Sequence, residues 1–94
     1  MDPRVRIPKT VLFRELDGEA VLLSLANGTY FSLNPTGTRM WQLIHACDGD
    51  LHHVLDKLVE EFEVSEEQCR ADLTALTASL CQHGLLEPLA APSA

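Results

Sequence analysis

The sequence predicts an α+β domain in which a three-stranded antiparallel sheet is followed by three helices. Two observations support this prediction. Residues 11–33 contain short apolar runs separated by the turn-forming pairs Asp17-Gly18 and Asn27-Gly28, a pattern typical of a β-meander. From Pro35 onward, apolar residues recur every three or four positions, as they do on one face of a helix.

The three predicted strands are short. Val11–Leu16 alternates weakly and ends at Asp17-Gly18, whereas the apolar runs Val21–Leu25 and Tyr30–Leu33 flank Asn27-Gly28. Asn-Gly tolerates the positive φ angles of a type I′ turn, so we expect a tight two-residue hairpin there. The pairs that this hairpin implies are Leu22 with Leu33, Ser24 with Phe31, Leu23 with Ser32 and Leu25 with Tyr30.

Both faces of this predicted sheet carry apolar side chains, because directly paired residues share a face. Three helices can cover only one face of so small a sheet. The other face must then be covered by the N-terminal segment, by a second copy of the chain in a homodimer, or by a ligand.

The first two helices are marked by their caps. Asn34 is suited to cap a helix that begins with Pro35, and Asp48-Gly49 ends it. The apolar side of this helix contains Gly37, Met40, Trp41 and Ile44. Asp50 is the expected cap of the second helix, whose apolar stripe consists of Leu51, Val54, Leu55, Leu58, Val59 and Phe62.

A third helix is predicted to begin with a capping box, in which the side chains of Ser65 and Gln68 each bond the other residue's backbone N–H. Gly84 is placed to end it, after which Leu85-Leu86 return to the core. One face of this helix carries Cys69, Leu73, Leu76 and Leu80.

The length of 94 residues fits one domain, and 46% hydrophobic content suffices for a modest core. We expect an N-terminal segment over residues 1–10, the domain over 11–87 and a disordered tail over 88–94. No apolar run approaches a membrane span, and no signal-peptide core follows Arg4 and Arg6, so we expect a cytoplasmic protein. Cys47, Cys69 and Cys81 have no CxxC spacing, which favours reduced, mostly buried thiols.

Charge is unevenly distributed. The net charge is −7, and after Arg39 only Lys57 and Arg70 oppose the acidic residues. Clustered Lys and Arg are needed to neutralise phosphates, so this balance argues against nucleic acid as a partner. Most of the acidic residues are expected to form an ordinary solvated surface.

The sequence does not predict a catalytic or metal site, or a cofactor. His45 and Cys47, like Cys81 and His83, are two positions apart, which does not align side chains on a helix. The adjacent residues His52 and His53 point about 100° apart on a helix, so they do not suit one metal ion. There is no glycine-rich phosphate loop, and Trp41 is expected in the core.

The ordered set of these features resembles the PqqD-like family, the RiPP recognition elements that serve ribosomally made, modified peptides. The resemblance covers about residues 12–86. It includes the hairpin from Leu22-Leu23 to Asn27-Gly28-Thr29-Tyr30-Phe31, then Leu33-Asn34, Gly37, Trp41, Leu43, Asp48-Gly49, Val54 to Leu58, Val64, Asp72, Leu76, Leu80 and Gly84-Leu85-Leu86. The Asn-Gly-Thr-Tyr-Phe hairpin and Trp41 make the chain more similar to stand-alone elements of lasso-peptide clusters than to the PqqD of pyrroloquinoline quinone synthesis.

This resemblance implies a winged-helix-like domain without a catalytic centre. Such proteins bind the leader segment of a precursor peptide, which adds as a strand to the third strand and packs against the third helix. The binding residues that the resemblance implies here are Thr29, Tyr30, Phe31, Ser32 and Leu33 on the strand, and Cys69, Arg70, Leu73, Leu76, Thr77 and Leu80 on the helix. Ser24 stands where the family commonly has an acidic residue.

Two classes of function remain besides an enzyme, which the sequence favours least. The first is a leader-peptide adaptor whose partners are the precursor peptide and a modifying enzyme such as a leader peptidase, a cyclase or a radical-SAM enzyme. The second is an acidic winged-helix transcription regulator or a protein-binding module. An excess of Lys and Arg on the third helix would favour DNA, and only Arg70 is present there.

Overall fold

A computed structural model describes residues 4–89 of the protein. Three strands precede three helices, as predicted, and a short strand lies at each end of this arrangement. In chain order the elements are β1 (Val5–Arg6), β2 (Val11–Leu16), β3 (Glu19–Ser24), β4 (Tyr30–Leu33), α1 (Pro35–Ala46), α2 (Leu51–Phe62), α3 (Glu66–Gln82) and β5 (Glu87–Pro88). Strands β2, β3 and β4 form one antiparallel sheet in that order. Among residues 4–89, none of the helices has the length and hydrophobicity that a membrane span requires.

The tight turn forms in the first hairpin of this sheet. Asp17 and Gly18 have φ angles of 55° and 80°, and they join Leu16 directly to its partner Glu19. Positive φ at both central residues is the requirement of a type I′ turn. The Asp-Gly pair therefore makes the two-residue hairpin that we predicted for Asn27-Gly28.

The second hairpin has a longer loop, and its predicted register is wrong by two residues. Leu22 pairs with Phe31 and Ala20 with Leu33. The amide of Gly28 donates to the Ser24 carbonyl at 2.8 Å, which closes the loop without a type I′ turn. A shift of two residues leaves every side chain on its predicted face, since the side-chain period of a strand is two.

The helix caps confirm the predicted helix starts. The side-chain oxygen of Asn34 accepts from the Gly37 amide at 2.7 Å, and Asp50 accepts from the amides of His52 and His53. Ser65 accepts from the Gln68 amide at 3.2 Å, but the Gln68 side chain donates to Asp72. Only this half of the predicted capping box forms within the described residues.

The end of α3 was also predicted correctly. Gly84 has a φ of 74°, its amide donates to the Cys81 carbonyl, and the Leu85 amide donates to the Leu80 carbonyl at 2.8 Å. This pair of bonds is a Schellman motif, which turns the chain back toward the helix. Leu85 and Leu86 are fully buried as a result.

The core lies between the sheet and the helices. Helix α1 packs against β3 and β4, while α2 packs against both α1 and α3. Trp41 of α1 is 3% exposed, and its ring stacks on Phe13 of β2 with 6.3 Å between centroids. Phe62, which we placed on the apolar stripe of the second helix, is instead 40% exposed because it occupies the last position of α2.

The N-terminal segment contributes to the fold, although we drew the predicted domain from residue 11. Strand β1 pairs with β5, and Val5 is buried in the core. The Leu89 amide donates to the Arg4 carbonyl at 2.9 Å. Pro88 and Leu89, which we assigned to a disordered tail, are therefore held by β1; residues 90–94 of that predicted tail lie outside the described residues.

Gly49 anchors this N-terminal strand, and we expect Gly49→Ala to detach it. Gly49 has a φ of 79°, its carbonyl accepts from the Val5 amide, and an added Cβ would stand 1.7 Å from the Val5 carbonyl oxygen. The expected loss in free energy of unfolding is about 1–3 kcal/mol, measured by urea titration. Gly18→Ala is the control, since it shares the positive φ but meets no atom within 4 Å. Equal losses in both variants would contradict the anchoring contact.

Ser24 is a buried hydroxyl that costs stability. It is 1% exposed, and its Oγ has no hydrogen-bond partner among residues 4–89. An unsatisfied buried hydroxyl destabilises a fold, so Ser24→Ala should raise the free energy of unfolding by about 1 kcal/mol. Thr77→Ala is the control with the opposite sign, because the Thr77 hydroxyl donates to the Leu73 carbonyl at 2.9 Å. A lower melting temperature of Ser24→Ala would contradict this account.

Candidate functional site

Strand β4 is an edge of the sheet. Within residues 4–89 it pairs only with β3, so its second edge carries backbone groups that no other strand bonds. The Ser24 amide donates to the Thr29 carbonyl at 2.9 Å, which shows that the backbone of Thr29 faces β3. Strand residues alternate in the side to which they bond. Phe31 therefore also faces β3, and the backbone groups of Tyr30 and Ser32 face the open edge.

The two edges of this sheet differ in charge. The other edge strand, β2, carries Arg14 and Glu15, and the Glu15 carboxylate accepts a hydrogen bond from Gln42. Charged side chains on an edge strand discourage the addition of another strand. The sequence of β4, Tyr-Phe-Ser-Leu, contains no charge and no proline. Of these two edges, β4 is the one suited to pair with an extended segment.

The C-terminal end of α3 lies beside β4. The ring of His83 makes an edge contact with Phe31 at 5.3 Å between centroids, and the side-chain Nδ2 of Asn27 donates to the His83 carbonyl at 3.5 Å. The same Asn27 side chain accepts from the Thr29 amide at 2.9 Å. These contacts join the hairpin loop to the C-terminal end of α3 and hold this end of the helix next to β4.

The helix face nearest the Phe31–His83 contact is defined by the helical neighbours of His83. Positions 72, 76, 79 and 83 follow one another at intervals of three and four, so Asp72, Leu76 and Ser79 of α3 share one face with the C-cap residue His83. Leu76 and Ser79 are half-buried, and Asp72 and His83 are exposed. We call the space between this face and β4 the cleft.

The structure divides the predicted helix residues into two groups. Arg70 is exposed, with its guanidinium 3.2 Å from the Glu66 carboxylate, and Leu76 is half-buried against the core. The remaining residues belong to the core and present almost no surface in this structure: Cys69, Leu73, Thr77 and Leu80. They support the cleft from beneath, whereas Ser79 and His83, which sequence reasoning missed, lie at its surface.

The predicted strand residues lie together on β4 and the residue before it. Phe31 is half-buried and points to the helix side of the sheet, as does the buried Leu33. Tyr30 and Ser32 point to the opposite side and are exposed. An extended segment beside β4 would thus find backbone donors and acceptors at Tyr30 and Ser32, with the Phe31 ring on the cleft side.

The Cys69 thiol lies beneath the cleft, and the His83 ring lies at its surface. Burial, and to a lesser extent the charge of Asp72, raises the pKa of the Cys69 thiol. This thiol is therefore protonated at neutral pH and is not activated. The Nδ1 of His83 lies 2.7 Å from the Ser79 carbonyl oxygen. No group of three metal-ligating side chains occurs within the described part of the chain.

Comparisons with known proteins agree with this fold. The family model described as coenzyme PQQ synthesis protein D (PqqD) matches residues 19–86. A solved structure of TbiB1 in complex with the TbiA(beta) leader peptide is 31% identical, with a TM-score of 0.82 over 92% of this chain and 99% of that one. No protein with a curated description matches the chain significantly.

A second solved structure shares the fold. It is a lasso peptide synthetase B1 complexed with the leader peptide, and it is 24% identical to this chain. The TM-score is 0.72 over 90% of this chain and 99% of that one. The arrangement of a three-stranded sheet followed by three helices is therefore common to all three proteins.

Proposed function

Because the chain belongs to the PqqD family, we propose that it binds the leader segment of a ribosomally synthesised precursor peptide and presents it to modifying enzymes. The observation that carries this proposal is the open, uncharged edge of β4 beside α3. TbiB1, which shares 31% of its sequence with this chain, was solved with a leader peptide. An open strand edge next to a cleft is the arrangement used for strand addition.

In this proposal the leader extends the sheet as a strand next to β4. Its backbone bonds the amide and carbonyl groups of Tyr30 and Ser32, which supply affinity for any extended segment. Selectivity comes from the cleft, where alternate leader side chains meet Phe31, Leu76 and His83. We expect apolar leader residues at these positions, since the cleft side of β4 carries no charge.

We assign no catalytic step to this chain. The buried thiol of Cys69 is protonated, and the cations Arg39 and Arg70 are held by the carboxylates of Glu61 and Glu66. The chain then acts as an adaptor in the cytoplasm, and the chemistry belongs to a partner such as a leader peptidase, a cyclase or a radical-SAM enzyme. We expect no binding to nucleic acid in this role, because a protein with a net charge of −7 is repelled by phosphates.

Titration of a labelled leader peptide against the protein tests the proposal. We expect micromolar or tighter binding, a free energy of about −8 kcal/mol or more favourable, from the leader without its core region. A scrambled leader of equal composition is the control. Binding that appears only when the core region is attached would overturn the proposal.

A further inference from the structure

Asn27 lies in the middle of the loop between β3 and β4, and its side-chain amide bonds both this loop and the end of α3. The oxygen Oδ1 accepts from the Thr29 amide at 2.9 Å, and Nδ2 donates to the His83 carbonyl at 3.5 Å. One of these bonds needs an acceptor and the other needs a donor, and an amide side chain supplies both. Asn27 therefore bridges the residue before β4 and the residue after α3.

The spacing between β4 and the end of α3 depends on side-chain contacts of this kind, because the backbones of the two elements pack closely on other partners. Among residues 4–89, the helix that packs closely on β4 is α1, whereas α3 packs closely on α2. The ring contact between Phe31 and His83 also joins β4 to the end of α3. The Asn27 bridge holds the backbone of the same His83 and so supports this ring contact.

Gly84 leaves room for the bridge. It follows His83 directly, and a Cβ added to it would stand 2.9 Å from the Nδ2 of Asn27. Such a Cβ would push the Asn27 amide away from the helix. Glycine at this position thus serves two purposes, since it adopts the positive φ that ends α3 and it lets Asn27 approach.

The end of α3 favours an amide over a carboxylate at position 27. The last carbonyls of a helix have no partner within the helix, and they carry a partial negative charge. The His83 carbonyl is one of these groups, and the N–H of Asn27 supplies its donor. A carboxylate at the same place would still accept from the Thr29 amide, but it would repel the carbonyl oxygen.

We propose that Asn27 is a positioning residue for the leader site, and that its bridge to His83 sets the width of the cleft that the leader enters. This inference rests on the proposed function. In that function the leader bonds β4 and meets α3 at the same time, so the spacing of the two elements must match the leader before it binds. Preorganisation of this kind raises affinity because the site need not be ordered at the moment of binding.

The bridge should matter more for leader affinity than for the stability of the domain. Asn27 is exposed, and its bond to His83 is long. When the bridge opens, both groups can bond water instead, so little free energy of unfolding is lost.

Two variants of Asn27 open the bridge and keep the bond within the loop. Asn27→Asp and Asn27→Ser each retain an oxygen that can accept from the Thr29 amide. The aspartate carboxylate has no proton to donate to the His83 carbonyl, and the serine side chain is too short to reach it. Ala26→Asp is the matched control, because Ala26 is the exposed neighbour of Asn27 and this variant adds the same charge while the bridge stays intact.

Leader affinity and the dissociation rate are measured with the labelled leader peptide, and stability is measured by thermal melting. We expect the Kd of both Asn27 variants to rise about fivefold or more, through faster dissociation and with native melting temperatures. Ala26→Asp should bind the leader as the native chain does. In NMR spectra of the free proteins, the ring-proton resonances of His83, which respond to the Phe31 ring, should move in both Asn27 variants and stay unchanged in Ala26→Asp.

Native leader affinity in either Asn27 variant would overturn the inference. An equal rise in Kd for Ala26→Asp would also overturn it, because affinity would then respond to the loop in general and not to the bridge. A lower melting temperature with native affinity in the folded fraction would assign Asn27 to the fold alone. Absence of leader binding by the native chain would overturn the proposed function, and this inference with it.

Discussion

Proline at position 32 is expected to abolish leader binding while the domain stays folded. The Ser32 amide faces the open edge of β4, so its loss breaks no bond to β3. Proline removes this donor and places its ring where the added strand must approach. We expect the Kd to rise about thirtyfold or more, which corresponds to about 2 kcal/mol.

The neighbouring position provides the matched control. The Phe31 amide faces β3, so Phe31→Pro breaks the ladder between β3 and β4 and should lower the melting temperature. Ser32→Ala keeps the amide and should bind leader with native affinity. Thermal melting and leader titration are measured on each variant. Native leader affinity in a folded Ser32→Pro variant would exclude strand addition at β4.

Trp41→Ala is expected to destabilise the whole domain. Trp41 is 3% exposed and stacks on Phe13, so the substitution leaves a large cavity between α1 and the sheet. The free energy of unfolding should fall by roughly 3–5 kcal/mol, measured by urea denaturation. This loss is a large part of the stability of the domain, since the free energy of unfolding of native proteins is about 5–15 kcal/mol.

Trp41→Phe keeps an aromatic ring in the cavity and should lose clearly less stability than Trp41→Ala. The part of the Trp41→Ala protein that remains folded should bind leader as the native chain does, because Trp41 is remote from β4's open edge. A loss of leader affinity without a loss of stability would contradict the assignment of Trp41 to the core.

The sequence predicted the elements well because their boundaries are local. Asn34, Asp50 and Ser65 cap their helices through bonds to amides two or three residues away, and such bonds depend only on nearby residues. The register of the second hairpin was missed because it depends on distant contacts. Asn27 bonds the Thr29 amide and also reaches the carbonyl of His83.

The strand and helix residues of the candidate site differ in exposure. The family resemblance named Thr29–Leu33, an uncharged run after a turn signal, and these residues lie on β4 and directly before it. On α3, apolar periodicity identified Leu73 and Leu80, and these are core residues because periodicity finds the most buried face. The cleft face lies at the margin of that stripe, where Leu76 alternates with Ser79 and His83. Ser79 lies three positions after Leu76, and His83 lies four positions after Ser79. This helical spacing is the sequence signal that could have identified both residues.

Amide hydrogen exchange of β4, measured by NMR with and without leader peptide, tests the central claim most directly. If the leader adds as a strand at this edge, the amides of Tyr30 and Ser32 gain protection when it binds. The Phe31 amide, already bonded to β3, changes little. Strand addition at β4 would be contradicted if the amides of Tyr30 and Ser32 gained no protection at saturating leader. It would also be contradicted if protection appeared instead at Phe13 and Glu15, whose amides face the open edge of β2.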